Sequence, residues 1–217
     1  MSSQHSQQQV PQQAKLHFAT MGESVQSQIA PDQLALWPAV LDEASASRYY
    51  QLLQQQLHWQ QPELTVYGKS HPIPRRQVWM GDQDAHYGYA GRDFQPMPWH
   101  PLLQDWAAQL SMFLRHPFNS VLANWYRQGQ DKMGWHSDDE PELGPVIAMI
   151  SLGACRELAF RRRQGQARFS VSLPAGSLLV MGPGLQQQWQ HSLPARQGVT
   201  TGRISLTFRQ IMPLPRS

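Results

Sequence analysis

Beyond Asn119 the chain is a succession of short strand-forming runs: Ser120–Tyr126, Val146–Leu152, Glu157–Arg161, Phe169–Leu173, Ser177–Met181 and Arg203–Ile211. Turn-forming residues separate them, and few helical stretches lie between. Successive parallel strands need crossovers of a dozen or more residues, usually helical. Runs spaced this closely therefore predict an antiparallel jelly roll rather than a βαβ sheet. Within Ser120–Tyr126, alternation assigns Val121, Ala123 and Trp125 to one face and Leu122, Asn124 and Tyr126 to the other.

Upstream the period changes. Ala46, Tyr49, Tyr50, Leu53 and Leu57 recur at helical spacing between Leu41 and Leu57. Leu103, Trp106, Leu110 and Phe113 do the same between His100 and His116, with Pro101 suited to the first turn. Both predict amphipathic helices packed on the sheet. The expected class is α+β, with a jelly roll (a double-stranded β-helix) at its centre. Gly68–Pro98 is rich in Gly, Pro, Tyr and charge without a sustained period, so loops and short strands that carry binding surfaces are expected there. Met1–Gln13 is polar, Gln- and Ser-rich and nearly uncharged. Residues 1–30 are accordingly expected to form a disordered lead. Residues 31–217 form one domain, with a helical region over 31–118 and the jelly roll over 119–213.

At 217 residues and 41% hydrophobic content, the chain supplies one substantial core and is short for two. It has neither a long apolar run nor a basic-then-apolar leader, so no membrane span or signal peptide is expected. The single cysteine, Cys155, excludes an internal disulfide and fits a reducing cytoplasm. Charge is divided unevenly. Residues 1–150 hold nine Lys/Arg against fourteen Asp/Glu, whereas 151–217 hold nine Arg and one acid, Glu157. Such a basic third suits a polyanion such as a nucleic acid, and solvated strand edges account for it equally well.

His136-Ser137-Asp138 places an imidazole and a carboxylate on the same side of an extended segment. His191, beyond the Ser177–Met181 run, is the candidate for a remote third ligand. Two histidines and one carboxylate leave positions open for a chelating co-substrate and oxygen, the pattern of non-haem iron(II). Surface or hydrogen-bonded histidines are the alternative. In the last run, period two groups Arg203, Ser205, Thr207 and Arg209 on one face and Ile204, Leu206 and Phe208 on the other. Facing inward, the arginines need an anion, and a dicarboxylate fits the guanidinium fork. Facing outward, they need only water. Periodicity leaves both arrangements open and leans toward the second.

Five motifs then appear in order: Asn124-Trp125-Tyr126, His136-Ser137-Asp138-Asp139-Glu140-Pro141, Ile150-Ser151-Leu152-Gly153, Trp189-Gln190-His191 and the arginine strand. Tyr67-Gly68-Lys69, Pro74-Arg75-Arg76-Gln77 and Gly81-Asp82 precede them. Through these motifs, from about Val66 to Pro213, the chain resembles the AlkB family of iron(II)/2-oxoglutarate dioxygenases, nearest the branch of the mammalian DNA-repair homologues 2 and 3.

The resemblance implies that His136, Asp138 and His191 bind Fe(2+) and form the catalytic centre. It implies that Arg203 pairs with the distal carboxylate of 2-oxoglutarate, assisted by Tyr126. Asn124 and Arg209 hold the end nearer the metal, and Thr207 contributes from the same face. Ser205 stands where the family usually has Asn, which rearranges one hydrogen bond. On the substrate side, Tyr67 matches an aromatic that enters the base stack, and Arg75 and Arg76 belong to the same upstream motif. Tyr87 and Tyr89 match a loop lining the base pocket. Asp139 and Glu140 are expected at the polar edge of a cationic alkylated base, and Arg161-Arg162-Arg163 on the flanking phosphates. The implied reaction, with O2 as co-substrate, hydroxylates the N-alkyl carbon of 1-methyladenine or 3-methylcytosine in DNA and releases formaldehyde. Expected partners are alkylated DNA and, secondarily, RNA, with no membrane and no obligate protein partner, for a cytoplasmic monomer. The same chemistry on RNA or a protein side chain, and a non-catalytic nucleic-acid-binding barrel, are the alternatives.

Overall fold

In the computed structural model, which describes residues 15–18, 25–26, 33–66, 68–85, 87–89 and 92–212, the chain begins with β1 (Val25–Gln26), β2 (Leu34–Trp37) and α1 (Glu43–Gln56). Short strands follow: β3 (Glu63–Val66), β4 (Lys69–Pro72), β5 (Arg76–Gly81), β6 (Tyr87–Tyr89) and β7 (Arg92–Phe94). After α2 (Pro101–Leu114) come β8 (Ser120–Tyr126), β9 (Met133–His136), β10 (Ile147–Gly153), β11 (Arg156–Arg162), β12 (Arg168–Leu173) and β13 (Leu178–Met181). A single turn, α3 (Leu185–Gln188), leads into β14 (Trp189–Leu193), and β15 (Arg203–Arg209) closes the fold.

Two sheets carry the architecture. The major sheet runs β1-β2-β13-β10-β15-β8-β5 and the minor sheet β12-β11-β14-β9, with antiparallel neighbours throughout. This is the predicted jelly roll, and each of the six predicted runs forms a strand whose ends fall within two residues of expectation. The strands that carried no signal are short or polar: β9 is Met-Gly-Trp-His and β14 Trp-Gln-His-Ser-Leu.

Alternation sorts the core into two layers. Ala148, Ile150 and Leu152 of β10 face the helices together with Val121, Ala123, Ile204, Leu206 and Phe208. Ile147 and Met149 face the minor sheet, where they meet Leu158, Phe160, Trp189 and Leu193. Because both faces of β10 are covered, its sequence reads as an apolar run interrupted only by Ser151 before the closing glycine, instead of an alternating one.

The helices are placed by ordinary local chemistry. Asp42 caps α1 by accepting the Ser45 N–H at 2.7 Å, and Ala46, Tyr49 and Leu53 form its buried stripe. Pro101 opens α2, which ends where Arg115 turns left-handed at φ 51°. Tyr49 meets Trp106 edge-on at 5.2 Å, joining the two helices. Gly153 ends the Ile150-Ser151-Leu152-Gly153 motif for a conformational reason. It sits at φ +81°, where a Cβ would lie 2.4 Å from the Gly202 carbonyl oxygen and 2.9 Å from the Tyr50 ring.

The polar lead expected over residues 1–30 does not run unbroken to residue 30. Leu16 is buried, its N–H donates to Gln109 of α2, and Phe18 stacks on Phe113 at 4.1 Å. Val25–Gln26 pair with β2. Residues 1–14 lie outside the described residues. Among those described, no helix is long and apolar enough to cross a membrane.

Candidate metal centre and active site

β9 is the edge strand of the minor sheet, and its register against β14 sets His136 opposite His191. The two rings lie 4.2 Å apart between centroids. Past β9 the chain is held against the start of β14: Ser137 Oγ donates to the Trp189 carbonyl at 3.0 Å, and the Asp138 N–H to Gln186 Oε1 at 3.1 Å. These bonds bring the Asp138 carboxylate to the imidazoles, 3.7 Å from His136 Nε2. One ligand atom from each of His136, Asp138 and His191 lies within 4.8 Å of the others, the arrangement among the described residues that is able to hold a metal ion.

The protonation states suit a metal. His136 Nδ1 lies 2.9 Å from the Gly134 carbonyl. With that bond made by an Nδ1–H, Nε2 keeps the free lone pair. Burial first, and the neighbouring His136 second, push His191 down to about 3, so its imidazole stays neutral at working pH. Burial alone would raise the Asp138 carboxyl. Arg209, His191 and His136 outweigh it and hold the group far below the usual carboxylate range, with the Arg209 guanidinium donating to Oδ2.

Behind the three ligands a narrow cavity of about 20 Å³ runs between the sheets. Arg209, at one end of β15, contacts Asp138, and Arg203, 1% exposed, stands at the other end of the same strand face, away from the ligands. The wall is built by register. Ser205 of β15 lies between Asn124 of β8 and Ser151 of β10, and Arg203 pairs across from Tyr126. Every residue of β15 is buried. The solvent-facing arrangement toward which periodicity leaned is therefore corrected: β15 is interior to its sheet, with helices on one side and the minor sheet on the other.

Arg203 donates to Ser151 Oγ at 2.8 Å and lies 5.7 Å from the Tyr126 ring centroid, but its buried Nε has no partner. Burial pushes its pKa down to about 10, as an uncompensated buried cation requires. The Arg209 Nε is likewise buried and unpartnered. The chemistry of the lining suits a dicarboxylate: Arg203 has no acid partner among the described residues, Arg209 lies beside the metal ligands with its Nε unpartnered, and Asn124, Ser205 and Thr207 line the space with them. Ser151 and Gln186 were not anticipated. Ser151 had a signal, a hydroxyl inside an otherwise apolar run, whereas Gln186 had none.

The expected substrate residues divide. Tyr67 lies outside the described residues, and of Tyr87 and Tyr89 only the backbone, in β6, is described. Glu140 follows the metal segment and keeps a buried Oε2 without a partner. Arg75 reaches the cavity wall, where its Nε donates to Asn124 Oδ1 at 2.9 Å. Arg76 does not. It pairs in register with Trp125 and lies over that ring at 5.6 Å, on the face of the sheet turned from the cavity. Nor do Arg161, Arg162 and Arg163 act as one run. Arg161 lies over Trp135, Arg162 lies 5.9 Å from the Trp189 ring, and Arg163 pairs with Asp139 and donates to the Gln186 carbonyl. The basic third is also partly internal, since Arg156, Arg203 and Arg209 are buried.

A profile described as the 2OG-Fe(II) oxygenase superfamily matches residues 33–209. The chain is 37% identical over 183 residues to "DNA oxidative demethylase ALKBH2" of Bos taurus, covering 78% of this chain and 66% of that protein. The Mus musculus protein of the same name is 35% identical over 190 residues, covering 82% of this chain and 80% of that one. "Alpha-ketoglutarate-dependent dioxygenase alkB homolog 3" of Homo sapiens is 33% identical over 196 residues, covering 85% and 68%. Among solved structures, that of OsALKBH1 superposes with a TM-score of 0.55 at 18% identity, over 82% of this chain and 96% of that chain, a likeness of fold.

Proposed function

The chain belongs to the 2OG-Fe(II) oxygenase superfamily, in its AlkB line, and from that premise we propose that it oxidatively removes N-alkyl groups from DNA bases such as 1-methyladenine and 3-methylcytosine. One observation carries the reading: the cavity lined by the His136–Asp138–His191 group is also lined by a buried arginine, Arg203, that has no acid partner among the described residues. A metal-free binding barrel has no use for either feature.

When bound, iron(II) and 2-oxoglutarate supply, with oxygen, the two-electron oxidation that hydroxylates an N-methyl carbon, after which formaldehyde leaves and the unmodified base remains. The protein's own residues hold and orient. His136 Nε2, the Asp138 carboxylate and His191 hold the metal, and Arg209 keeps Asp138 ionised and fixed. Arg203 receives the distal carboxylate. Burial raises the Tyr126 phenol, which therefore stays protonated as a donor. Asn124 and Arg209 meet the near end, and Thr207 and Ser205 line the wall. Ser205 is shorter than the Asn usual in the family, so Asn124 beside it carries more of the polar contact. Glu140, with its unpartnered carboxylate oxygen, suits the amino edge of a cationic base. A base reaches such a pocket only when unpaired or turned out of the stack; Tyr67 is proposed to fill the stack, and Tyr87 and Tyr89 to line the pocket that receives the base. The names of the relatives favour DNA as the substrate class, and no protein partner is required.

Mass spectrometry of single- and double-stranded DNA carrying 1-methyladenine, incubated with iron(II), 2-oxoglutarate and oxygen, tests the proposal. Loss of one methylene mass, abolished by His136→Ala, is expected. No loss from either DNA while 2-oxoglutarate is still consumed would shift the substrate to RNA or protein.

A further inference from the structure

Strand alternation has a second consequence at the metal histidines. His136 and His191 face the cavity, so the residues before them, Trp135 and Gln190, face the outside of the minor sheet. Trp135 is 38% exposed, an indole on an edge strand that takes no part in either core layer. The guanidinium of Arg161 lies 4.6 Å from its ring centroid. Arg161 Nε donates to Gln190 Oε1 at 2.9 Å, which fixes the arginine over the ring. A preformed cation–π pair on the outer face of the strands that carry the metal histidines needs a reason to be exposed.

The surrounding charge supplies one. Register places Arg168 of β12 across from Arg161 on the same face, whereas Arg162, the next residue of β11, turns to the other face beside Trp189. The nearby acids are already engaged, Asp139 by Arg163 and Glu157 by Arg196. Among the described residues, Arg161 and Arg168 have no carboxylate partner. An aromatic face set in uncompensated cationic charge is the combination that binds single-stranded nucleic acid, because every base has a π-face and every nucleotide a phosphate.

We propose that Trp135 and Arg161 form a stacking platform for the base of an unpaired nucleotide flanking the one under repair, with Arg168 on its phosphate. The inference rests on the DNA-demethylase reading and adds to it a binding subsite on the outer face of the sheet, behind the metal histidines. It also explains why the indole remains in water. Any unpaired base serves, so the platform selects for single-stranded character and not for sequence.

The test is steady-state demethylation of single-stranded oligonucleotides about ten nucleotides long, each carrying one 1-methyladenine. Trp135→Ala and Trp135→Leu are compared with the wild type. Leu retains apolar bulk without an aromatic face, and the position is exposed enough to tolerate either change. Each variant should raise KM about tenfold, with kcat at saturating DNA and DNA-independent 2-oxoglutarate turnover unchanged. Oligonucleotides with an abasic position on the 5′ or the 3′ side of the lesion identify the stacked base. On one side the abasic substrate should raise the wild-type KM by the same factor and leave the variants' KM where it already stands. A wild-type KM that moves with neither abasic substrate, or variants that match the wild type, overturns the platform alone. Failure of the wild type to demethylate any of these DNAs refutes the underlying reading instead, and the platform falls with it.

Discussion

Replacing Arg203 with Met separates the cost of the buried guanidinium from its purpose. The side chain is 1% exposed, its Nε is unpartnered, and its nearest polar contact is the Ser151 hydroxyl. Met preserves the length and apolar volume without the charge. A carboxylate paired with a buried cation loses about 2–5 kcal/mol when the cation is removed. The 2-oxoglutarate dissociation constant should therefore rise by roughly 30-fold at least, since about 1.4 kcal/mol is a factor of ten. The charge-transfer band of the iron(II)–2-oxoacid chelate reads that constant directly. Stability should move the other way. Exchanging a buried, unpaired ion for an apolar residue of similar volume is neutral or stabilising by about 1–4 kcal/mol, to be read as the urea midpoint without 2-oxoglutarate. Because Arg203 is depressed only to about 10, it stays charged across the neutral range and the cost there does not vary with pH. Adding 2-oxoglutarate at a hundred times its wild-type dissociation constant should raise wild-type stability by about 2.7 kcal/mol and that of the variant by about 1 kcal/mol or less. A variant that binds 2-oxoglutarate within threefold of wild type, or that is clearly less stable without it, would refute the assignment of the cavity.

Gln186→Ala removes the acceptor of the Asp138 N–H. It should weaken iron(II) affinity about tenfold, by metal titration, with little change in 2-oxoglutarate affinity once iron is saturating. Gly153→Ala forces a Cβ into the Gly202 carbonyl at a left-handed φ and should cost about 2–4 kcal/mol in denaturant unfolding. Metal-free protein should lose roughly 1 kcal/mol between pH 7 and about 5.5. The folded state depresses His191 from 6.5 to about 3, so the unfolded chain takes up the proton first and stability falls as pH falls. His191→Gln should flatten that slope in urea melts performed in a chelator. Changing Arg161, Arg162 and Arg163 together to Gln should reduce the salt dependence of DNA binding by about two phosphate equivalents instead of three, because Arg163 is already paired with Asp139. An unchanged slope would make the run a solvated edge.

The fold was legible where a run obeys one strong rule. β8 could be read residue by residue because Val121 and Ala123 pack toward the helices while Asn124 and Tyr126 line the cavity. α1 and α2 could be read because a buried stripe repeats at helical spacing. β9 and β14 could not, although they carry two of the three metal ligands. Four or five residues that include Gly, Trp, Gln and His satisfy no periodic template, and only pairing with each other and with β11 makes them strands. The charge asymmetry was visible as a sum, but a sum does not distinguish arginines that solvate an edge from arginines that wait inside for an anion.

By itself, then, the sequence determined the strand and helix segments, the two-residue step from His136 to Asp138, and the composition of each face of β15, because these depend on backbone periodicity over neighbouring residues. The tertiary structure alone decided that His191 stands opposite His136, that Arg203 is buried in the cavity wall, and that Arg76 faces away from the cavity. Each of those depends on strand register and on what covers a face. Both are set by packing between segments far apart in the chain, and a local pattern is the same whether its polar face meets water or a buried cavity.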